Sequence, residues 1–356
     1  MATSDYWDTA DLKAIQAGGL VNEDVMQAVW DLSRIPLPFT DRIGSSSASN
    51  SYTEWTEDSL ADPDLTNAVV SGADATGNNA KGGSRVGNHC QNSVKVLAVT
   101  ERANSTDNIG RANESAYQIM MRQQELRRDV EAIALSPQAS VQDDNNTTAG
   151  KAGGFDAWLV TNTDNGATGA DGGFNTTTKV VATPDPGDAR SPTMLELSDL
   201  IESCYLNNAN VTILMARPEI IRGLNGFILA TPTAAKVATP TANVSGSGGG
   251  VNQTAQGYVN VLVTDFGTSL EIVPNRLQQT YNSTDVGPVP VSTLFLIDPE
   301  HVGLGFLKGY TTQPLAKLGL SERAQVSVDW TVKVFVEKAH AAYRSLKDGV
   351  WSAGSA

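Results

Sequence analysis

The chain has 356 residues, enough for two or three compact units, and carries 39 Asp/Glu against 25 Lys/Arg, a formal charge of -14. That balance argues against tight wrapping of nucleic acid, which needs a dominant basic footprint. Two cysteines, Cys90 and Cys204, and three histidines, His89, His301 and His340, supply neither a disulfide framework nor a metal cluster.

The charge is uneven. Residues 1–80 contain thirteen Asp/Glu and three Lys/Arg, so ten of the fourteen excess negative charges lie there. Asp5, Asp8, Asp11, Glu23, Asp24 and Asp31 are spread through the segment rather than packed in a block. Such spacing suits an arm laid over a basic neighbour, or a merely solvated stretch. The opening MATSDYWDTADLKAI has no basic region followed by an apolar core, and no run of 18 apolar residues occurs. A soluble protein of a reducing compartment is therefore expected, with the NST triplets at Asn104 and Asn282 as composition rather than glycosylation sites.

Residues 1–50 hold short helices at most, one around Asn22–Leu32, before Pro36 and Pro38 keep the backbone extended. YTEWTEDSL from Tyr52 and SVKVLAVT at Ser93–Thr100 predict two limbs of a long hairpin, with the glycine-rich SGADATGNNAKGGSRVGN between them as its tip. Ala112, Ala116, Ile119, Gln123, Leu126, Val130 and Ile133 then recur at spacings of four and three, predicting one long helix over Ile109–Leu135. Ser105, Thr106 or Asp107 would cap it, and Ser136–Pro137 would stop it. Its outer face is expected to carry Arg111, Arg122, Arg127 and Arg128 with Glu114, Glu125 and Glu131.

Residues 138–190 are Gly/Asn/Thr-rich, with a short hairpin or helical turn at Phe155–Val160. MLELSDLIESCYLNNA predicts a helix, VTILMA a buried strand, and RPEIIRGLNGFI a second helix opened by Pro218. After the polar VSGSGGGVNQT come two strands, YVNVLVTDFG and SLEIVPNR, separated by a turn at Gly267. VSTLFLID is a further apolar strand, and an alternating strand from Val326 to Val336 leads into a short terminal segment.

Catalytic constellations are scarce. No H-x-x-x-H, H-E-x-x-H or C-x-x-C occurs, and His89 beside Cys90 are neighbours in sequence that would rarely face each other as an ion pair. GLNGF, GVNQTAQG and GSGGG at 246–250 lack the strand, helix and lysine context of a phosphate cradle. The acids Glu54, Glu57 and Asp58, Asp62 with Asp64, and Asp143 with Asp144 lack the aromatic platforms of a glycosidase, Trp55 beside Glu54 being the only hint. Alternation along a strand explains Tyr52, Glu54 and Thr56. Asp74, Thr76, Gly77 and Asn78 resemble a calcium loop but lack its closing glutamate. No catalytic, cofactor or metal site is expected, and a structural protein is favoured over an enzyme.

The order of arm, glycine-tipped loop, long helix, α+β body with a flexible insertion and closing strand resembles the HK97-fold major capsid protein of tailed bacteriophages, most closely the major head protein group of short-tailed phages. The segments that carry it are YTEWTEDSL at 52–60, RQQELRRDVEAIAL at 122–135, GGFDAWLVTN at 153–162 and ILMARPEIIRGLNGF at 213–227. YVNVLVTDFGTSLEIVPNR at 258–276, LFLIDPEHVGLGFLKG at 294–309 and VDWTVKVFVEKAHAAYRSL at 328–346 complete it. The resemblance implies an arm at 1–50, an extended loop at 51–100 and a peripheral domain with the spine helix at 101–190. A mainly axial domain at 191–290 and return strands with a C-terminal segment at 291–356 would follow.

It further implies hexamers and pentamers forming an icosahedral shell around double-stranded DNA held without sequence-specific binding. Arm, loop and helix would contact neighbouring subunits, and separate scaffold and portal proteins, with room for a cement protein, would complete the virion. No membrane is involved. Asp265 to Gly267 would be a turn between two strands of the body, with no chemistry asked of them. Lys81 sits where a crosslinking lysine of some relatives would be, but EKAHAAYRSLKDG offers no asparagine opposite it, so no covalent weld is expected. A phage tail or fibre adhesin is the alternative; it sits poorly with the long helix and the lack of repeats. A cell-wall hydrolase is disfavoured by the few histidines.

Overall fold

The computed structural model describes residues 36–354 except 59, 61–62, 67, 73, 75–81, 107–112, 145, 231–260, 284–288 and 348. The helix expected at 22–32, the acidic residues of the arm, Asp62, Thr76 to Asn78, Lys81, the start of the long helix at 109–112 and the GSGGG stretch lie outside the described residues.

Two sheets organise the chain. The smaller has four strands in the order β1 (Gly44–Ser47), β13 (Val302–Leu315), β14 (Ser321–Val334) and β4 (Gln91–Thr100). β1 runs parallel to β13, from Gly44 opposite Gly303 to Ser47 opposite Phe306; β13, β14 and β4 are antiparallel. Crossing this sheet is α2 (Glu114–Ala134), preceded by the single turn α1 (Glu101–Ser105). α2 begins later than the sequence predicts: Asn113 caps it, its side chain accepting from the Ala116 N–H.

The larger sheet contains β5 (Thr163–Asp164), β15 (Ala341–Leu346), β12 (Pro290–Ile297), β8 (Ile213–Ala216), β10 (Ser269–Pro274) and β9 (Val261–Val263) in that order, with β11 (Tyr281–Asn282) beside β12. α4 (Met194–Leu206) and α5 (Pro218–Ala230) cover one face, while the short α3 (Phe155–Trp158) lies in the core on the other. A second small hairpin, β6 (Gly173–Asn175) with β7 (Val180–Ala182), flanks α3.

Strand alternation divides the larger sheet's side chains between two cores. Leu214, Ala216, Leu294, Leu296 and Tyr343 face α4 and α5; Ile213, Met215, Phe295 and Ile297 face the other way. There they join Leu126, Val130 and Ala134 of α2 and Val326 to Val334 of β14 in one cluster. The apolar runs VTILMA and VSTLFLI follow from this, because a sheet buried on both faces needs apolar residues at every position.

The turn between β9 and β10 matches the sequence reading. Gly267 has φ +81°, a conformation that costs glycine little, and the Thr264 N–H donates to the Thr268 carbonyl. Pro274 ends β10, where a missing N–H is tolerated.

Three expectations need correction. The return limb of the hairpin is β3 (Ser84–His89), pairing with β2 (Tyr52–Glu57), whereas Ser93–Thr100 belongs to β4 and pairs with β14. SRVGNH is too polar to announce a strand, and SVKVLAVT is the stronger β-former, so the reading attached the limb one strand too late. The terminal segment after Val336 is β15, fully buried between β12 and β5. Glu131 is not on an outer face; it is completely buried.

Candidate assembly interface

The framework beneath the surface is held by two buried charges. Glu131 accepts from the Phe39 N–H at 2.7 Å, the Thr40 N–H at 2.8 Å, the Asn275 side-chain amide at 2.9 Å and the Thr40 hydroxyl. One carboxylate thereby ties the incoming chain and the exit of β10 to the long helix. Arg344 on β15 is equally buried and donates to Asp156 Oδ1 at 2.7 Å, Asn165 Oδ1 at 2.9 Å, Asp171 Oδ1 at 3.1 Å and the carbonyls of Asp156 and Leu159. Burial works against its charge, but Asp156, with Tyr281 and Asp171 behind it, holds its pKa above the ordinary arginine value.

Over this framework, large apolar side chains of the described residues stand in the open in several places, four of which hold groups of two or more. On the loop between β2 and β3, Leu60 and Leu65 are 96% exposed, and Val69 and Val70 are nearly as bare. At the turn between β13 and β14, Leu318 and Leu320 flank Gly319 and are exposed. At the far end, Tyr205 stacks on Phe266 with centroids 4.9 Å apart, beside exposed Leu206, and Val261 and Val263 stand open on the edge strand β9. On β4, Val94 and Val96 are exposed.

The last group follows from register. Lys95 pairs with Asp129 of α2 at 2.6 Å, and Gln123 of α2 donates to Thr312 Oγ1 at 3.1 Å, so the rungs through Lys95, Val326 and Thr312 face the helix. Neighbouring rungs, Val94 with Ser327 and Thr311 and Val96 with Gln325 and Gln313, must face the other way. Exposed apolar groups in several separate places are expected of a chain that buries them against copies or partners.

The residues whose types could carry chemistry are scattered. His89 is buried with its ring 4.7 Å from that of Tyr52, while Cys90 Sγ points to the Asn50 carbonyl and Thr53 hydroxyl, so the two do not pair. Cys204 is buried in the α4 core, where burial pushes its thiol up to about 12. His340 is buried against Phe155 and accepts from the Asp298 N–H, and His301 sits on the Asp298 carboxylate at 2.8 Å. Glu54 pairs with Arg85 and Lys179, Trp55 packs against Trp158, and Glu57 ends β2. Asp144 caps its own turn, accepting from the N–H groups of Asn146, Thr147 and Thr148, and Asp64 does the same for Thr66. Among the described residues no group of three or more His, Cys, Asp or Glu is placed to hold a metal, and no helix is long and apolar enough to cross a membrane. The buried pair of clamps, Glu131 and Arg344, escaped the sequence reading because nothing in the chain marks a charged residue as buried.

Comparison with known proteins identifies the family. The family model described as SU10 major capsid protein matches residues 7–347. The chain belongs to that family. It is a phage major capsid protein of HK97-like fold, a structural protein of the virion. A curated major capsid protein of Escherichia phage Phieco32 is 37% identical over 108 residues; the match spans 30% of this chain and 31% of that protein. The capsid of a native GTA particle superposes with a TM-score of 0.59 at 10% identity, covering 94% of this chain and 98% of the other. A Gordonia phage Cozz chain gives 0.53 at 9% identity over 96% of both, and the capsid of Cyanophage P-SCSP1u 0.52 at 12% identity over 96% and 99%. At such identities these structures speak to the fold alone.

Proposed function

We propose that copies of this capsid protein form hexamers and pentamers that tile a shell around double-stranded DNA. The observation that carries this reading is the placement of the four exposed apolar groups, on a loop, a ribbon turn, a sheet face and a sheet edge of one framework. Each can meet a different neighbour.

In this reading residues 1–50 are the arm and 51–100 contain the extended loop that lies over an adjacent subunit. α2 is the spine helix of a peripheral domain at 101–190. The end bearing Tyr205, Phe266 and Val263 belongs to a mainly axial domain at 191–290 and points to the symmetry axis, and 291–356 supplies the return strands. The acidic arm reaches a neighbour in the shell. The net charge of -14 keeps packaged DNA from adhering to the inner wall, so the DNA is contained without being read. Separate scaffold and portal proteins, and a cement protein where the virion has one, act with the shell, whose contacts are noncovalent.

Electron microscopy of the purified protein, with the scaffold co-expressed, tests this. Closed shells built from six-fold and five-fold capsomers are expected. Fibres, or soluble chains that never close into particles, would overturn the reading in favour of a tail protein.

A further inference from the structure

A groove of about 610 Å³ runs between α2, β4 and the chain that follows β10. In a protein with 25 Lys/Arg against 39 Asp/Glu, its walls carry Lys95, Arg128, Arg217 and Arg276 against Glu125 and Asp129. Both acids are already engaged: Asp129 with Lys95 at 2.6 Å, and Glu125 with Arg122. Arg217 is shared between Glu219 at 3.2 Å and the Gln278 carbonyl at 2.7 Å. Arg128 and Arg276 have no hydrogen-bonding or ion-pair partner among the described residues. Two guanidinium forks therefore face an open groove, suited to carboxylates that arrive from elsewhere.

The chain's own entry point lies beside them. Phe39 and Thr40 are fastened to Glu131, three residues along α2 from Arg128, and the same carboxylate holds Asn275, the neighbour of Arg276. Upstream lie 35 residues with six acids, Asp5, Asp8, Asp11, Glu23, Asp24 and Asp31, against Lys13 and Arg34. Extended, roughly 3.3 Å per residue gives such a segment ample reach. A short tether also raises its effective concentration at the groove to about the millimolar range, where even weak ion pairs are populated.

We propose that in the unassembled subunit the acidic segment 1–35 docks its carboxylates in this groove of its own chain, and that assembly must lift it out before it reaches a neighbour. This goes beyond the shell reading, and it concerns the free subunit.

Tryptic cleavage after Lys13 in the full-length, unassembled chain tests it. Cleavage should be slow in the parent and about ten-fold faster when Arg128→Gln and Arg276→Gln are combined, since proteolysis follows the open population. The same gain is expected when Asp5, Asp8 and Asp11 become Asn with Glu23→Gln and Asp24→Asn, substitutions outside the described body that keep the test valid if the arginine variant misfolds. Salt of about 0.5 M should release the parent as well. Equal cleavage of parent and both variants would overturn the proposal. So would protection that grows with protein concentration, because the segment would then sit on a second copy. Normal shells from a parent subunit whose segment is cleaved as fast as in both variants would refute this docking while leaving the shell reading intact.

Discussion

The two sheets share a layer of side chains and meet the outside in opposite ways. In the larger sheet β8, β12 and β15 are closed on both faces, and even their charged member, Arg344, is sealed among Asp156, Asp171 and carbonyls. The smaller sheet has a helix on one face and leaves Val94 and Val96 open on the other. A sheet covered on both sides can only give the subunit its shape. One with an open stretch on its second side leaves apolar area in water there, and in the proposed shell a neighbouring chain would cover it. Stability and assembly are therefore separable by mutation.

Arg344→Met breaks the sealed side most severely. Asp156 would be left as a buried charge without its partner, and a loss of about 3–5 kcal/mol in urea unfolding of the free subunit is expected. A loss below about 1 kcal/mol would show that water reaches the pair and that the closure is incomplete.

Acid probes the same side. Burial lowers the His340 pKa from 6.5 to about 4, although the His301 carbonyl and Asp298 favour the proton. The unfolded chain takes up that proton first, so the contribution is intact above about pH 6.5 and is lost as pH falls towards about 4, on the order of 3 kcal/mol in all. Urea titrations across that range should show the slope in the parent and a flatter profile in His340→Phe. Identical slopes would place the imidazole in contact with water.

Glu131→Gln acts where the two regions join, keeping one acceptor oxygen and losing the charge. A loss of about 1–3 kcal/mol is expected, with faster hydrogen exchange at the Phe39 and Thr40 amides. Exchange at those amides unchanged from the parent would show that the carboxylate does not hold the chain.

The gentlest change sharpens the contrast most. Val94→Ser with Val96→Ser should leave subunit stability within about 0.5 kcal/mol, since both side chains are already exposed. Particle yield should nevertheless fall. Equal yields would mean that this face meets no neighbour.

Much of the sealed half was legible in the sequence. Apolar runs such as VTILMA can only be satisfied inside, and the four-and-three spacing of Leu126 and Val130 found the helix and its buried stripe. Ala116, from the same stripe, is exposed, although Ile119 one turn on packs against Leu97, Val99 and Ala324. β13 was not foreseen as a strand: GLGFLKGY carries three glycines and TTQPL a proline, residues that weaken β propensity, and pairing along β14 overrides it. Glu131 was misplaced for a related reason. Its partners lie 91, 92 and 144 residues away, and local pattern holds no trace of contacts at that range. The candidate surfaces were visible only as types, a loop, a helix and an arm. Which valines and leucines remain bare is a matter of register.

The parallel pairing of β1 with β13 has a mechanical consequence. β1 follows directly on the entry of the chain, and Ala48 continues its bonding with a 2.9 Å hydrogen bond to Phe306 while Lys333 holds the Ser47 carbonyl. Tension arriving from the N-terminal side pulls β1 along its own length. Its hydrogen bonds to β13 lie across that pull and bear the load together, in shear, rather than opening one after another like a zip. β13 is an inner strand, so the load passes into the middle of a sheet and not to a peelable edge. The first strand therefore works as a cleat: a neighbour gripping the arm could strain the lattice without unravelling the subunit to which the arm belongs.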